Sequence, residues 1–169
     1  MNAILYPGSF DPITLGHVDV IGRLAEQFDR VVVLVADSPR KSYFFSQEKR
    51  KELILNSIKE MADLNNRKTW HHVRVACSSE LTVEFAKREG IRLIARSVRT
   101  VSDWEYEYAM ADANRRLWPE IETFFIMASA EHGFISSSLV REVALFGGET
   151  RAFVPKCVAE ELKQKVRNV

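Results

Sequence analysis

The chain of 169 residues is 46% hydrophobic and 28% charged, the make-up of an ordinary soluble globular protein long enough to bury one core. A formal net charge of +1 gives no bulk electrostatic case for nucleic-acid binding, and no stretch approaches the apolar length of a membrane span. Pro7, Asp11 and Pro12 break up an N-terminus that lacks the basic region of a signal peptide, and Cys77 and Cys157 share no metal-clip spacing, so a reduced cytoplasmic setting is expected.

In chain order, Ala3-Ile-Leu-Tyr6 reads as a buried strand stopped by Pro7-Gly8. A polar turn with Ser9, Asp11 and Pro12 follows, and an amphipathic helix begins at about Thr14, with Val18, Ile21, Ala25 and Phe28 on one face. Arg30 to Ala36 is a near-continuous β-branched run, the sign of a strand covered on both faces. Arg40-Lys41-Ser42 forms a basic loop, and Ser46 is placed to cap a helix running to about Ala62, with Ile54, Ile58 and Met61 inward. Asn65 to Lys68 is a turn, His72 to Cys77 a strand, and Leu81 to Glu89 a helix closed by Gly90. Ile91 to Ala95 is the next strand; Asp103 is placed to cap a long helix carrying Trp104, Tyr108 and Ala111 on one side and ending before Pro119. Glu122 to Met127 is a strand, Ser136 to Phe146 a helix stopped by Gly147-Gly148, and Val158, Leu162 and Val166 mark a last helix after Pro155.

This alternation predicts an α/β fold: a Rossmann-like doubly wound sheet of about five parallel strands, helices on both faces, in one domain over residues 1–169. Ligands of such sheets sit beyond the carboxyl ends of the strands, near the switch in strand order. The segments after the strands hold the least scaffold-like residues of the chain.

Neither G-x-x-x-x-G-K-[ST] nor G-x-G-x-x-G is present, and Ser9 lacks a G-x-S-x-G elbow, so Walker-type, classical dinucleotide and Ser-His-Asp readings lose support. Thr14-Leu-Gly-His17 remains. Gly16 permits close approach to the first helical turn, whose N–H groups and dipole favour phosphate, and His17 can add an Nε2–H donor. A lone histidine more often caps or packs; the strand–turn–helix setting reverses that balance. Arg96 and Arg99 are planar cationic forks at a strand's carboxyl end, evenly balanced between anion binding and surface solvation. Lys41 alone reads as a solvated charge. Ser136-Ser137-Ser138 opens a helix with hydroxyls and free N–H groups, although one serine suffices as a cap. His71 and His72 are read as structural, Trp104, Tyr106 and Tyr108 as core or interface packing, and Asp11 as a turn-stabilising carboxylate rather than a magnesium ligand.

Together, Tyr6-Pro-Gly-Ser-Phe-Asp-Pro-Ile-Thr-Leu-Gly-His17, the Arg96 and Arg99 pair, the Asp103-Trp-Glu-Tyr-Glu107 helix start and Ile135-Ser-Ser-Ser-Leu-Val-Arg141 closely resemble the bacterial phosphopantetheine adenylyltransferase family. The resemblance spans essentially the whole chain. It implies transfer of AMP from ATP to 4′-phosphopantetheine, giving dephospho-CoA and pyrophosphate. It implies catalytic roles for His17, as transition-state stabiliser, and for Lys41 and Arg99. It assigns Ser9, Phe10, His17, Ser97, Val98, Arg99, Glu107 and the loop His132, Gly133, Phe134, Ile135, Ser136, Ser137 and Ser138 to ATP. Ser9, Lys41, Thr82 and Arg96 are assigned to phosphopantetheine. It further implies Mg²⁺ held by phosphates and water with no protein ligand, a homohexamer, and CoA as a feedback inhibitor. Ser97 replaces a glycine common in the family, and His132 an aromatic residue. Two other readings stand beside this one: a related nucleotidyltransferase acting on another phosphorylated acceptor such as nicotinamide mononucleotide, and a non-catalytic CoA or adenine-nucleotide sensor.

Overall fold

The computed structural model describes residues 2–64 and 70–167; the turn expected at Asn65 to Lys68 lies outside them. The strands are β1 (Ala3–Gly8), β2 (Arg30–Ala36), β3 (Val73–Ser78), β4 (Leu93–Val98) and β5 (Glu122–Met127). All pair in parallel, in the order β3-β2-β1-β4-β5. The helices are α1 (Leu15–Gln27), α2 (Gln47–Leu64), α3 (Thr82–Glu89), α4 (Val101–Leu117), α5 (Ser137–Leu145) and α6 (Lys156–Arg167). The sequence order therefore reverses between β1 and β4, the switch point where a parallel sheet opens a crevice at its carboxyl edge.

The continuous apolar runs in β1 and β2 follow from covering the sheet on both faces. Ile4, Tyr6, Val31, Val33 and Val35 point into a core shared with α1, α2, α5 and α6. Leu5, Val32 and Leu34 point the other way, against Val83, Phe85 and Ala86 of α3 and the loop residues Ile91 and Ile121. Alternation by side is present in these strands, but both sides are apolar and so it is invisible in the sequence. Gly90 does close α3, at φ +66°, and the Ser46 hydroxyl accepts from Lys49 N–H as the α2 cap.

Two boundaries differ from expectation. β4 starts at Leu93 and runs to Val98, because Arg96, Ser97 and Val98 continue the ladder opposite Phe125, Ile126 and Met127. Arg96 thus lies within the strand, two residues before its end, and not in the loop after it. The cap of α4 is Thr100, whose Oγ1 accepts from Asp103 N–H; Asp103 stands in the first turn, where its charge complements the dipole. Trp104 and Tyr108 are not core residues: they are 43% and 62% exposed, and Glu107 is the one buried residue of α4 among those described.

β1 ends in a tight turn that needs particular residues. Phe10 adopts φ +48°, a conformation that costs a non-glycine residue on the order of 1–3 kcal/mol. Burial of its ring, 2% exposed and edge-on to Tyr6 at 5.5 Å, offsets that cost. A Cβ on Gly8 would lie 2.9 Å from the Phe10 ring, so the glycine is what lets the ring fold back over the strand end. Gly8→Ala is expected to lower stability by roughly 1–3 kcal/mol, the cost of overpacking, with an unchanged m-value in urea unfolding. A shift below about 0.5 kcal/mol would show that the ring is not confined.

Candidate active site

The carboxyl edge of the sheet opens into a cavity of about 530 Å³ at the β1–β4 switch point. Its walls are the turn after β1, the first turn of α1, the basic loop, the ends of β4 and β5, and the N-terminus of α5. Ser9, Phe10, His17, Lys41, Arg96, Ser97, Arg99 and Glu107 all reach it, as do His132, Ile135 and the serines 136–138. Val98, Thr82, Gly133 and Phe134 do not line it. The Val98 side chain is buried in the core, Thr82 opens α3, and Phe134 is exposed and edge-on to Phe153.

His17 is held in one tautomer. The backbone N–H of Thr14, which can only donate, lies 3.0 Å from Nδ1, and Thr14 Oγ1 is 3.0 Å from the same atom. Nδ1 is therefore the acceptor and the proton sits on Nε2. Thr14 and His17 form a reciprocal capping box, with Thr14 Oγ1 accepting from His17 N–H and the imidazole filling the place a glutamate usually takes. Phe10 stacks edge-on against the imidazole at 5.1 Å. Burial, and secondarily the Arg99 charge, push the His17 pKa from 6.5 down to about 4. The group that faces the cavity is a neutral Nε2–H donor over the whole physiological range.

The first turn of α1 offers fewer free donors than expected. Leu15 N–H is taken by Phe153 C=O and His17 N–H by its own cap, leaving Gly16 N–H. Gly16 faces His132, whose Cβ and carbonyl would stand 3.5 Å from an added Cβ, an ordinary contact. At α5 the three serine hydroxyls have separate tasks. Ser136 Oγ accepts from Leu139 N–H as the cap, Ser137 Oγ donates to Pro12 C=O at 2.7 Å, and Ser138 Oγ accepts from Arg141 at 3.2 Å.

The cations differ in how far they are committed. Arg96 is engaged by both oxygens of Glu107 at 2.5 Å and by Pro7 C=O at 2.8 Å. The resemblance assigns these two residues to different ligands; here they hold each other. Arg99 donates to the Asp103 carboxylate and to Ile135 C=O, both at 3.0 Å, which ties α4 to the loop before α5. Lys41 has no ion-pair partner among the described residues. Ser97 Oγ receives a 3.4 Å hydrogen bond from Tyr6, and burial raises the pKa of that phenol, keeping it neutral.

Three contributors escaped the sequence reading. Arg141 lines the cavity and donates to Asp11 C=O; its place three residues after Ser138 was the available signal. Asp11 does more than stabilise its own turn, because its two oxygens accept from Phe44 N–H at 2.7 Å and Phe45 N–H at 2.9 Å. Arg50, fully buried, had no signal among the charges of α2. The carboxylates lining the cavity, Asp11, Asp103 and Glu107, are each engaged by N–H groups or a guanidinium, and the described residues contain no cluster of three metal-binding side chains.

A parallel sheet with switch-point crevice, capped histidine and a ring of anion donors defines a nucleotidyl-transferring fold. The sequence model of the cytidylyltransferase-like family matches residues 5–143. Solved structures agree on the fold at low identity. A putative nicotinate-nucleotide adenylyltransferase from Vibrio parahaemolyticus is 20% identical, with TM-score 0.64 over 96% of this chain and 99% of that one. A Plasmodium falciparum nicotinic acid mononucleotide adenylyltransferase complexed with NaAD is 15% identical, with TM-score 0.70 over 96% and 95%. Curated relatives are far more similar in sequence. The phosphopantetheine adenylyltransferase of Thermotoga neapolitana is 44% identical over 96% of both chains, and that of Methylacidiphilum infernorum 48% identical over 98% of this chain and 92% of its own. The chain belongs to the phosphopantetheine adenylyltransferase family.

The His17 assignment has a spectroscopic consequence. Its unfolded-state imidazole protonates near 6.5 and the folded one only near 4, so stability from this group is present above pH 6.5 and is lost as the pH falls from 6.5 towards 4. Nitrogen NMR of the free protein is expected to show a neutral Nε2–H imidazole at pH 6 with a midpoint near 4. A midpoint at 6.5 or higher would contradict the geometry.

Proposed function

We propose that the cavity joins ATP to 4′-phosphopantetheine, forming dephospho-CoA and releasing pyrophosphate. The observation that carries this beyond the family match is a neutral, tautomer-fixed His17 donor beside Lys41, Arg99, Arg141 and the open Ser137 and Ser138 N–H groups. The chemistry needs no general base. A phosphate monoester has a second pKa of about 6 and is already largely a dianion at neutral pH. One acceptor oxygen forms the new bond to the α-phosphorus as the bond from that phosphorus to the pyrophosphate oxygen breaks, and no proton has to be abstracted.

The protein's part is alignment and charge stabilisation. In this reading His17 Nε2–H, Arg99, Arg141 and the N-terminus of α5 hold the ATP phosphates, with Phe10 and the loop from His132 to Ser138 around the nucleotide. Ser9 and Lys41 receive the acceptor phosphate. Arg96 contributes by fixing Glu107 and the Pro7 carbonyl at the junction of the two ligands. Mg²⁺ held by phosphates and water would neutralise charge on the departing pyrophosphate. CoA, which contains the acceptor's pantetheine arm, is read as a competitor for the same cavity, and the setting as cytoplasmic; no described helix is long and apolar enough to cross a membrane.

The exposed aromatic residues of α4, Trp104, Tyr106 and Tyr108, and the exposed Phe124 and Met127 of the edge strand β5 support the homohexamer that the resemblance implies.

Incubating the protein with ATP, Mg²⁺ and 4′-phosphopantetheine, nicotinamide mononucleotide or glycerol phosphate is expected to release pyrophosphate with the first acceptor alone. CoA binding without turnover would instead favour a sensor. His17→Ala is expected to lower kcat by roughly 10²–10³, the loss of one preorganised donor, and a change of only a few-fold would remove its assigned role. In sedimentation velocity the wild type is expected to run as a hexamer and Tyr108→Glu to dissociate; a monomeric wild type would remove the assembly reading.

A further inference from the structure

Arg50 is the largest fully buried side chain in the molecule among the described residues, and it carries a charge. Its guanidinium reaches three separate segments. Nη1 donates to Ser9 C=O at 2.8 Å, in the turn after β1. Nη2 donates to Asp37 Oδ1 at 2.5 Å, just past the end of β2. Nε donates to Phe45 C=O at 3.1 Å and Ser46 C=O at 3.3 Å, at the start of its own helix. Its planar face lies 4.1 Å over the Tyr43 ring, and the Tyr43 oxygen accepts from Ser38 N–H at 2.7 Å.

These contacts enclose the basic loop. Ser38 and Asp37 stand at one end of it, Tyr43 and Phe45 at the other, and Lys41 lies between them with its ammonium unpaired. Asp11 grips the same far end through Phe44 and Phe45 N–H. The turn that carries Ser9 and the loop that carries Lys41 are thereby fixed to one another through a single planar group. An ammonium could satisfy Asp37, but it has neither the fork to span four acceptors in three segments nor a flat face to lie on Tyr43.

We propose that Arg50 is a positioning residue for the acceptor side of the reaction: it sets the distance between Ser9 and Lys41, and so the seat of the acceptor phosphate, without touching either substrate. This rests on the adenylyltransferase reading of the cavity. A misplacement of about 1 Å at a reacting phosphate can cost on the order of 10²-fold in rate. A brace of this kind should show on one substrate and not on the other, because His17, Arg99 and α5 are held by contacts that do not include Arg50.

The test is Arg50→Lys, measured alone and combined with Lys41→Ala. Expected are a roughly 10²-fold fall in kcat/KM for 4′-phosphopantetheine, a Kd for a non-hydrolysable ATP analogue within about threefold of wild type, and little further loss when the substitution is made in the Lys41→Ala background. Equal losses on both substrates, or effects that multiply in the double variant, would overturn the proposal and leave Arg50 a general stabiliser. Tyr43→Phe frees Ser38 N–H but keeps the ring beneath the guanidinium, so it decides the question if Arg50→Lys folds poorly. It is expected to weaken the acceptor alone, and an unchanged or two-sided effect counts against the brace. Wild-type protein in the same assay separates the two levels, since no pyrophosphate from ATP and phosphopantetheine would remove the adenylyltransferase reading itself.

Discussion

The turn between β1 and α1 is clamped from two directions, and the placing of Ser9 against the basic loop of Lys41 hangs on that clamp. On one side the buried Arg50 guanidinium takes the Ser9 carbonyl; on the other the buried Asp11 carboxylate takes two N–H groups at the entrance to α2. Neither is an exposed ion pair of the kind that contributes about 0–1 kcal/mol. Each satisfies backbone groups that would otherwise be buried and unpaired, where a loss costs about 1–3 kcal/mol per group. Phe10, at its unfavourable φ, rests its ring against His17, and the Thr14–His17 capping box settles, through contacts that do not include Arg50, which imidazole nitrogen carries the proton.

That donor is neutral by construction, and this shapes how the site would treat a polyphosphate. A protonated histidine would bind ground-state ATP more tightly, but interactions made equally in ground and transition states do not raise kcat. Burial keeps His17 uncharged and leaves the stronger charges to Lys41 and the arginines that line the same cavity.

What the sequence disclosed and what it hid divide along physical lines. Caps and stops depend on local chemistry, so Ser46 and Gly90 were readable from single positions. Strand ends depend on a partner strand. Nothing in Arg96-Ser97-Val98 announces that β5 will extend its ladder to Met127, and β4 was placed too early for that reason. Asp103 and Thr100 are both acceptable cap residues, and only the geometry chooses Thr100. Arg50 illustrates the deepest limit: inside Gln47-Glu-Lys-Arg50-Lys it looks like one more solvated charge, and its burial follows from a cavity wall contributed by residues 41 and 13 positions away. The motif-bearing cluster at Ser136 to Ser138 was legible as a place, although the separate use of each hydroxyl was not.

The two arginines singled out at the end of β4 turn out to be unlike in the way that matters for a binding site. Arg99 meets Asp103 where both side chains are about a third exposed, so exchanging that partner for a phosphate oxygen forfeits little. Arg96 meets Glu107 through two short hydrogen bonds with the carboxylate nearly buried, and separating such a pair strands a charge at a cost of roughly 3–5 kcal/mol. A ligand can therefore recruit Arg99 but has to accept Arg96 together with its carboxylate. The cavity lining holds four cations, at Lys41, Arg96, Arg99 and Arg141, and one of them, Arg96, is discounted in this way by its fixed acidic neighbour Glu107. What is left to draw in phosphate is Lys41 from the basic loop, Arg99 from just past the end of β4 and Arg141 from α5. A phosphate chain drawn in by these charges would come to rest against neutral donors already oriented to receive it, His17 Nε2–H and the Ser137 and Ser138 N–H groups.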